Sequence, residues 1–488
     1  MKSAKVSIII FALACALMAP GDYAKSDVII YPAPQGETLN TKFKVAVNGA
    51  DVPVYNAKIG MEDKVEREKA MDQRLESEKY FDIAGFASFD LKKGPVNVVV
   101  SMNEQVTSAK ILPTSFGIKP VIEGKTVSFE VSKPQHVTVE VNGDHIRSLH
   151  IFVNPEETNI PDPNDPNVIY FGPGIHEITT LPVGDNKTVY IAGGAIVRGI
   201  VKADEPWSTG WIPGLKYYRG ASFVLRGQNI TFRGRGIFDQ ELVPTHGRQS
   251  ITASVNGLKM EGVILRNSST WTVSLRDCNN VHIDNIKLLG HRANSDGIDI
   301  NSSFDVLVEN SFLRTLDDLV VVKTLRGSTQ DAGRIRVRKC VLWNEVAHAL
   351  SIGAELTRKV EDVVFEDCDV IGDHGREWTL RIYHTDKAMI KNVRFENIRI
   401  EESVKFASLW INKAYWSTDE ERGHIEDVVF KDITVTTSRP LEKGIEFLGY
   451  DEEHAVRNVR VENVMINGKK VTQDSIVVND YVRNVTVK

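Results

Sequence analysis

Three aspartates in the second half of the chain have the types and spacing that acid–base chemistry needs. Asp296 precedes one apolar segment, and the adjacent pair Asp317 and Asp318 precedes the next apolar segment. Neighbouring carboxylates repel one another unless one of them holds a proton or all are put to use. One neutral carboxyl group beside ionised ones suits the hydrolysis of a glycosidic bond. The alternative for any single aspartate is a structural role, as the cap of a turn.

The segments that must position these aspartates belong to an internal repeat. An Asn or Asp followed by alternating apolar residues recurs at intervals of roughly 24–35 residues. Clear copies begin at Asn280, Asp305, Asp362, Asn392, Asp427 and Asn458, a truncated copy begins at Asn484, and weaker copies lie near Asn229, Asn256 and Arg334. Each copy holds two short strands and a polar corner, and the connections are too short for helical crossovers. The repeat predicts a chain that winds on itself as a right-handed parallel β-helix, with a four-stranded-blade propeller as the rival fold.

In such a coil, successive turns lie about 4.8 Å apart, so residues about one turn apart in sequence become neighbours in space. Asp296 and the Asp317–Asp318 pair are separated by close to one turn. We therefore expect the three carboxylates to converge on adjacent rungs.

The first third of the chain has a different pattern. Residues 42–47, 96–100 and 137–141 alternate apolar and polar side chains, and turns such as Asn48-Gly49 separate such segments. This pattern predicts a small antiparallel β-sandwich. We expect the sandwich over residues 25–155 and the β-helix catalytic domain over residues 156–488. The fold class predicted for the whole chain is therefore all-β.

The N-terminus has the features of an export signal. Lys2 and Lys5 precede an apolar run over residues 6–18 that is too short to span a bilayer comfortably. We expect residues 1–24 to be a signal peptide and the mature protein to be periplasmic or secreted. Cys15 leaves a lipid anchor as the less favoured alternative, because residues 12–14 match a lipobox poorly. No membrane span is expected in the rest of the chain.

Composition excludes some classes of partner. The formal net charge of −6 argues against general binding of nucleic acid, although a few local cations would suffice for an anionic sugar. Three cysteines follow the signal, and Cys340 and Cys368 share one phase of the repeat, which predicts inward-facing thiols rather than a metal site. We expect no cofactor and no metal. The sequence makes no prediction about the oligomeric state.

Four ordered motifs resemble those of the polygalacturonase-type glycoside hydrolases, glycoside hydrolase family 28. The signatures of that family are NTDG, an Asp pair, GHG and RIK. Here NSDG occupies residues 294–297, the pair is Asp317-Asp318, AHALSIG occupies residues 347–353 and RIY occupies residues 381–383. The resemblance covers about residues 229–488. The order of a front sandwich and a β-helix is also similar to the dextranase family, glycoside hydrolase family 49.

The resemblance implies a polysaccharide or oligosaccharide substrate and a role for each matched residue. Asp317 would be the general acid, Asp296 and Asp318 would activate water, and the outcome would be inversion. His348 would support the protonation of the acid or orient the site. Residues expected to bind substrate are Arg381, Tyr383, Lys323 and Asn294.

The departures from the motifs bear on the substrate. Tyr383 stands where the family has a lysine that helps to bind the galacturonate carboxylate, and a tyrosine carries no charge. A dextranase-like hydrolase of a neutral α-glucan is therefore an alternative. A β-helix polysaccharide lyase, with the aspartates on a metal and Arg381 or Lys323 as the base, and a non-catalytic glycan-binding solenoid are the other two. The identity of the sugar, the linkage and endo or exo action are not predicted.

Overall fold

The structure is a computed structural model in which residues 27–210 and 212–488 are described. These residues form two all-β parts, a pair of packed sheets followed by one long coil of strands. The predicted signal over residues 1–24 lies outside the described residues. No helix in the described part of the chain is both long enough and apolar enough to cross a bilayer.

The first part is a β-sandwich, as predicted. One sheet has the strands Val28–Ile30, Val54–Ile59, Asp82–Leu91, Ala109–Leu112, Gln135–Val141 and Asp144–Pro155, and the other has Phe43–Val47, Ala50–Val52, Val96–Met102, Val121–Glu123 and Thr126–Val131. Phe89, Val98 and Phe129 are among the apolar side chains buried between the two sheets. Pairing is antiparallel except between Asp82–Leu91 and Asp144–Pro155.

The second part is the predicted parallel β-helix, in which most strands pair with the strand three positions later in the chain. Each turn of the coil therefore contributes three strands, one to each of three walls. The ladder wall holds Val168–Phe171, Thr188–Ile191, Asn279–Asp284, Phe304–Glu309, Ala332–Arg338, Val360–Glu366, Met389–Glu396, His424–Thr436, Val456–Ile466 and Val482–Val487. The sandwich wall holds Gly174–Ile178, Ala195–Gly199, Ile237–Asp239, Ile264–Arg266, Lys287–Leu289, Phe312–Thr315, Val341–Asn344, Asp369–Asp373 and Arg399–Glu401.

The cleft wall is the third. It holds Leu181–Val183, Val273–Arg276, Ile298–Asn301, Val320–Thr324, Leu350–Leu356, Leu380–His384, Lys405–Ile411, Lys443–Leu448 and Ile476–Val478. The long strands Ala221–Gly234 and Gln249–Glu261 run from the cleft wall into the ladder wall. The smaller elements are a hairpin of Trp207–Thr209 and Lys216–Tyr218, the strand Lys469–Lys470, and the 3-10 turns Thr114–Phe116 and Gln473–Ser475.

The repeated Asn and Asp residues lie at the corners of the ladder wall, in the left-handed backbone region. The φ of Asn310 is 50° and that of Asn463 is 52°. Asn and Asp tolerate this conformation because their short polar side chains can bond locally. Asn310 Nδ2 donates to Asp284 Oδ1 at 2.7 Å, and Asn463 donates to Asp432 Oδ1 at 2.7 Å. The sequence repeat is thus a ladder of hydrogen bonds between successive turns.

In the interior of the coil, side chains of the same type stack on one another from turn to turn. Phe365, Phe395 and Phe430 lie in register, with ring centroids 5.1 Å and 5.0 Å apart. Cys340 and Cys368 are buried free thiols, in agreement with the prediction. These stacks form because residues in the same phase of the repeat face the same interior position on every turn.

The sandwich covers a flank of the coil. Phe86 and Phe152 of the sandwich share a buried cluster with Ile264, Phe312 and Trp343 of the sandwich wall. Because both surfaces are apolar, the two parts bury a continuous core between them. The sandwich is therefore a structural support of the wall next to the cleft.

The charged stretch over residues 62–79 forms a helix, Lys64–Asp72, and a 3-10 turn, Arg74–Lys79. The Asp63 side chain caps the helix by accepting from the Glu66 backbone N–H at 2.9 Å. Apolar side chains at the end of the helix bury against the loops of the cleft wall; this cluster consists of Ala70, Met71, Ala293, Leu316 and Val346. One element of the sandwich thus reaches the loops that carry the aspartates.

Candidate active site

The three predicted aspartates converge in the structure. Ile298 pairs with Val320, so the turns that carry Asp296 and the Asp317–Asp318 pair lie on adjacent rungs of the cleft wall. One carboxylate oxygen from each of the three lies within 4.8 Å of the other two. The spacing of about one turn in the sequence is thus what places them together.

Gly297, directly after Asp296, makes the close approach of the two rungs feasible. A Cβ atom at this position would lie 2.3 Å from the Leu319 carbonyl oxygen. Any side chain would force the two turns apart and separate the carboxylates. This accounts for the glycine in the NSDG motif.

His348 contacts the second aspartate of the pair. His348 Nδ1 lies 2.5 Å from Asp318 Oδ1, and Arg381 Nη1 lies 3.1 Å from His348 Nε2. Because the arginine can only donate, Nε2 accepts and the Nδ1 proton points to Asp318. Arg381 also pairs with Glu377. The structure therefore places His348 in contact with Asp318.

Lys323 forms ion pairs with two carboxylates of the protein, those of Asp296 and Asp299. Its Nζ lies 3.3 Å from Asp296 Oδ2, 3.1 Å from Asp299 Oδ1 and 4.4 Å from the centre of the Trp271 ring. Only 5% of the residue is exposed, at the edge of the cleft. Lys323 thus lies against Asp296 at the edge of the cleft, and its role in substrate binding stays a prediction.

Asn294 also serves the carboxylates. Its Nδ2 donates to Asp317 Oδ2 at 3.3 Å, and its own backbone is left-handed, with a φ of 55°. The Asp317 Oδ1 accepts from the Asp318 backbone N–H at 2.9 Å. Both oxygens of Asp317 are thus oriented by polar donors.

The environment separates the pKa values of the trio. Burial and the charge of Asp318 raise the pKa of Asp317 to about 6. Burial, then the charges of Asp317 and Asp299, raise the pKa of Asp296 well above its usual value. Burial would also raise the pKa of Asp318, but the electrostatic interaction with His348 and the hydrogen bond from its Nδ1–H hold that pKa below the usual value. Asp318 is therefore ionised, and Asp296 and Asp317 together retain a proton in mildly acidic solution.

Asp299 is a member of the site that the sequence analysis missed. It is buried, and burial raises its pKa to about 7 although Lys323 opposes the shift. Burial lowers the pKa of Lys323, but the charges of Asp299 and Asp296 outweigh this effect and raise the pKa well above its usual value. The signal was present in the sequence, since Asp299 lies three residues after Asp296 and strand alternation points its side chain out of the core.

The carboxylates lie in a cleft with a volume of about 1290 Å³. Tyr383 forms part of its wall, stacked on Trp410 with ring centroids 5.2 Å apart, and Trp416 meets Tyr383 edge-on at 6.0 Å. Tyr415 is 78% exposed beside Trp416. Exposed aromatic faces of this kind can pack against the C–H faces of sugar rings.

The sandwich and the hairpin also line the cleft. Met71 and Arg74 reach it from the helix and the 3-10 turn, and Tyr217 and Tyr218 reach it from the hairpin. No local sequence signal places residues 71 and 74 beside aspartates more than 200 positions away. Only the docking of the sandwich on the coil brings them there.

Comparison with known proteins identifies the family. The profile described as glycosyl hydrolases family 28 matches residues 241–485, half of the chain. An endo-polygalacturonase of Pectobacterium carotovorum subsp. carotovorum is 28% identical over 242 residues, 46% of this chain and 54% of that protein. An exopolygalacturonase of Zea mays is 23% identical over 245 residues, 44% of this chain and 57% of that protein. The chain thus spans about half the length of these curated relatives.

Solved structures share the fold. Dex49A from Penicillium minioluteum aligns with a TM-score of 0.68 at 12% identity, over 94% of this chain and 96% of that chain. An exopolygalacturonase from Thermotoga maritima aligns with a TM-score of 0.51 at 18% identity, over 66% and 83% of the two chains. The first alignment extends over both the sandwich and the coil, and the second supports the β-helix. The ordered motifs and the matched profile together show that the chain belongs to glycosyl hydrolases family 28.

Proposed function

We propose that the protein hydrolyses a glycosidic bond in a galacturonate-containing polysaccharide or oligosaccharide. The observation that carries the proposal is the cluster of Asp296, Asp317 and Asp318, within 4.8 Å of one another on the cleft wall of a family 28 member. The different pKa shifts within the cluster provide both a proton donor and an ionised base.

Asp317 is the proposed general acid. Its pKa of about 6 keeps a proton available in mildly acidic solution. The Asp317 carboxyl group donates this proton to the glycosidic oxygen as the bond from that oxygen to the anomeric carbon breaks. The Asn294 amide fixes the orientation of the carboxyl group.

Asp318 is the proposed base, with Asp296 beside it. Asp318 accepts a proton from water while the water oxygen attacks the anomeric carbon, and His348 stabilises the ionised carboxylate. Lys323 beside Asp296 lowers the pKa of Asp296, against the larger raising effect of burial and the raising effects of the charges of Asp317 and Asp299. Asp296 then accepts a hydrogen bond from the attacking water.

Inversion is the proposed stereochemical outcome, and the spacing of the carboxylates makes it worth measuring. Acid and base in inverting enzymes are commonly about 6.5–9.5 Å apart. One oxygen of each of the three carboxylates lies within 4.8 Å of the others, so we place the attacking water to one side of the Asp317–Asp318 pair. NMR of the first product anomer tests this point, because retention of configuration would contradict the assignment of Asp318 as a base.

A substrate panel tests the reaction class. Release of reducing ends from polygalacturonate or a pectic polymer is the expected result, without absorbance from an unsaturated product. Chelator-sensitive ultraviolet absorbance would instead establish a lyase, although the ammonium group of Lys323 beside Asp296 competes with a metal cation there. Reducing ends from dextran alone would establish a neutral glucanase, and binding without turnover would establish a non-catalytic solenoid.

Export and the domain boundaries are part of the proposal. We place an export signal at residues 1–24, the sandwich at residues 25–155 and the catalytic coil at residues 156–488, in a periplasmic or secreted protein. Terminal sequencing of the protein recovered from the periplasm or the medium tests the cleavage site. A mature chain that still begins at Met1 would contradict it.

A further inference from the structure

We infer that the first part of the chain positions the proposed acid, through the helix Lys64–Asp72 and the 3-10 turn Arg74–Lys79. These two elements pack on loops that precede successive strands of the cleft wall, and those loops carry the proposed catalytic groups. The inference rests on the proposed function and adds Ser77 and Met71 to it as positioning residues, which act through the loops.

The helix contacts each catalytic loop at the residue just before its motif. The motifs are NSDG, the aspartate pair and AHALSIG, and they lie on three consecutive rungs. One apolar residue before each motif is buried against the end of the helix; this cluster consists of Ala70 and Met71 of the helix with Ala293, Leu316 and Val346 of the loops. Because the cluster is close-packed, a displacement of the helix would move the backbone that carries all three motifs.

Ser77 adds a hydrogen bond to the first of these loops. Its side chain is fully buried, and its Oγ accepts from the Ala293 backbone N–H at 3.3 Å. No backbone carbonyl in the described part of the chain accepts from this N–H. Asn294, the next residue, donates to Asp317 Oδ2 at 3.3 Å. Two hydrogen bonds and one residue of chain thus connect Ser77 with the proposed acid.

The turn that carries Ser77 is itself fixed on the coil. Thr245 Oγ1 donates to Glu78 Oε2 at 2.5 Å and lies 3.5 Å from Ser77 Oγ. Within the coil, Arg292 Nη1 donates to the Val243 carbonyl at 2.7 Å, so the loop of Thr245 is joined to the loop that begins the NSDG motif. The turn therefore bonds to two coil loops that are also bonded to each other.

Polar contacts anchor the helix on the loop of the next rung as well. The Asp72 carboxylate accepts from Arg376 Nη1 at 3.0 Å and from Nη2 at 2.8 Å, and the buried Arg67 donates to the His374 carbonyl at 3.2 Å. A bidentate pair of this kind is directional. These contacts therefore fix the orientation of the helix on the loops, which an apolar contact alone does not.

The docked helix also affects the environment of the acid. Burial is the largest cause of the raised pKa of Asp317, which is about 6, and Leu316 directly before it belongs to the cluster under the helix. A loosened loop would admit water and lower that pKa. The first part of the chain thus governs both the orientation of the acid and the pH at which the acid loses its proton.

Ser77→Ala tests the polar contact. We expect kcat on polygalacturonate to fall about tenfold with little change in KM, because the loop of Asn294 loses a directional contact. The fall in activity with rising pH should begin about half a pH unit lower than in the wild type. Ser148→Ala is the matched control, because Ser148 is a buried serine of the sandwich whose hydroxyl has no hydrogen-bond partner among the described residues.

Thermal unfolding corrects each rate for the folded fraction. A rate of Ser77→Ala that falls equally at every pH would reduce Ser77 to a contributor to stability and overturn the inference. Asp72→Asn is the second variant, because it loosens the helix without leaving a buried N–H unpaired. It should lower kcat about twofold with a pH shift of the same sign, whereas Glu76→Gln, in an exposed ion pair within the turn, should change neither.

A double-mutant cycle tests the route through Asn294. Asn294→Gly removes the amide and keeps the left-handed backbone, at a φ of 55°, without strain. Ser77→Ala added to this variant should lower kcat less than about twofold further, because the two residues act on Asp317 through one connection. Losses that multiply as for independent sites would overturn the inferred route.

Hydrogen exchange measures the contact without reference to activity. Peptides that cover residues 290–296 should exchange at least about tenfold faster in Ser77→Ala than in the wild type, with no change in Ser148→Ala. Faster exchange in a protein that hydrolyses no glycan would retain the contact between the two parts and refute the proposed function. Unchanged exchange in a fully active Ser77→Ala protein would refute the positioning role and retain the hydrolase.

Discussion

The same turns of the coil form the ladder wall and the cleft wall, yet the polar side chains are paired on the first wall and crowded together on the second. On the ladder wall, Asn310 donates to Asp284 one turn earlier, so a donor faces an acceptor and the hydrogen bond joins successive turns. On the cleft wall, Asp296, Asp317 and Asp318 bring acceptor beside acceptor. One buried oxygen of Asp296 has no hydrogen-bond partner among the described residues. The comparison shows that regular stacking provides stability, while its local interruption provides reactive groups.

Removal of the proposed acid should give the largest effect. Asp317→Asn is expected to lower kcat about 10³–10⁴-fold, because the glycosidic oxygen then leaves without a proton. The melting temperature should stay the same or rise, because a buried carboxyl group beside Asp318 is replaced by a neutral amide. Reducing-end assays and thermal unfolding measure the two effects, and Asp305→Asn on the ladder wall is the matched control. Normal turnover by Asp317→Asn would rule out this acid.

Removal of the internal cation should affect both stability and rate. Lys323→Met leaves Asp296 and Asp299 buried without their counter-charge, at a cost of about 3–5 kcal/mol in the free energy of unfolding. Denaturant unfolding measures that loss, and Lys391→Met, an exposed lysine of the ladder wall, should unfold like the wild type. Equal unfolding midpoints for the two variants would show that the buried carboxylates do not depend on Lys323.

The stability of the protein should depend on pH through the cleft wall. Asp317 and Asp299 have folded pKa values of about 6 and 7, above the usual 3.8, so the folded state binds more protons than the unfolded state. The stabilisation is fully present below about pH 4 and is lost as the pH rises through these values. For Asp317 it amounts to about 2–3 kcal/mol.

Thermal unfolding from pH 4 to pH 8 in the wild type and in Asp317→Asn tests this sign. The variant should show the smaller decline, because one of the titrating carboxyl groups is gone. Activity should also fall above about pH 6 as the proposed acid loses its proton. A decline of equal size in both proteins would show that Asp317 is not protonated in that range.

A substitution on the ladder wall should give the smallest effect and leave catalysis intact. Asn463→Ala loses the hydrogen bond to Asp432. Alanine also lacks the polar side chain that lets asparagine adopt the φ of 52° at this position. We expect a loss of about 1–2 kcal/mol in stability with unchanged kcat. Asn463→Gly isolates the hydrogen bond, since glycine adopts this φ without strain. A loss of activity in either variant would mean that the two walls are not independent.

Much of the fold was readable because the repeat is local. The corner residues, the alternating strands and the phase of Cys340 and Cys368 together predict a coil, and the spacing from Asp296 to Asp317 predicts adjacent rungs. Side-chain partners were harder to predict. Lys323 has the charge expected of a substrate ligand, and only the structure shows that its ammonium group contacts Asp296 and Asp299. His348 was expected to support the protonation of the acid or to orient the site, and only the structure shows that its contact is with Asp318.

The sequence by itself determined the β-helix, the front sandwich and the meeting of three carboxylates, because each follows from a period that the chain repeats along its own length. Only the tertiary structure decided how the pKa values of the three carboxylates differ, since burial, the neighbouring carboxylates and the positions of Lys323 and His348 set them. The tertiary structure also decided that Met71 and Arg74, from the first part of the chain, line the cleft. Contacts of this kind depend on how two separate surfaces pack, and no periodicity within either part encodes them.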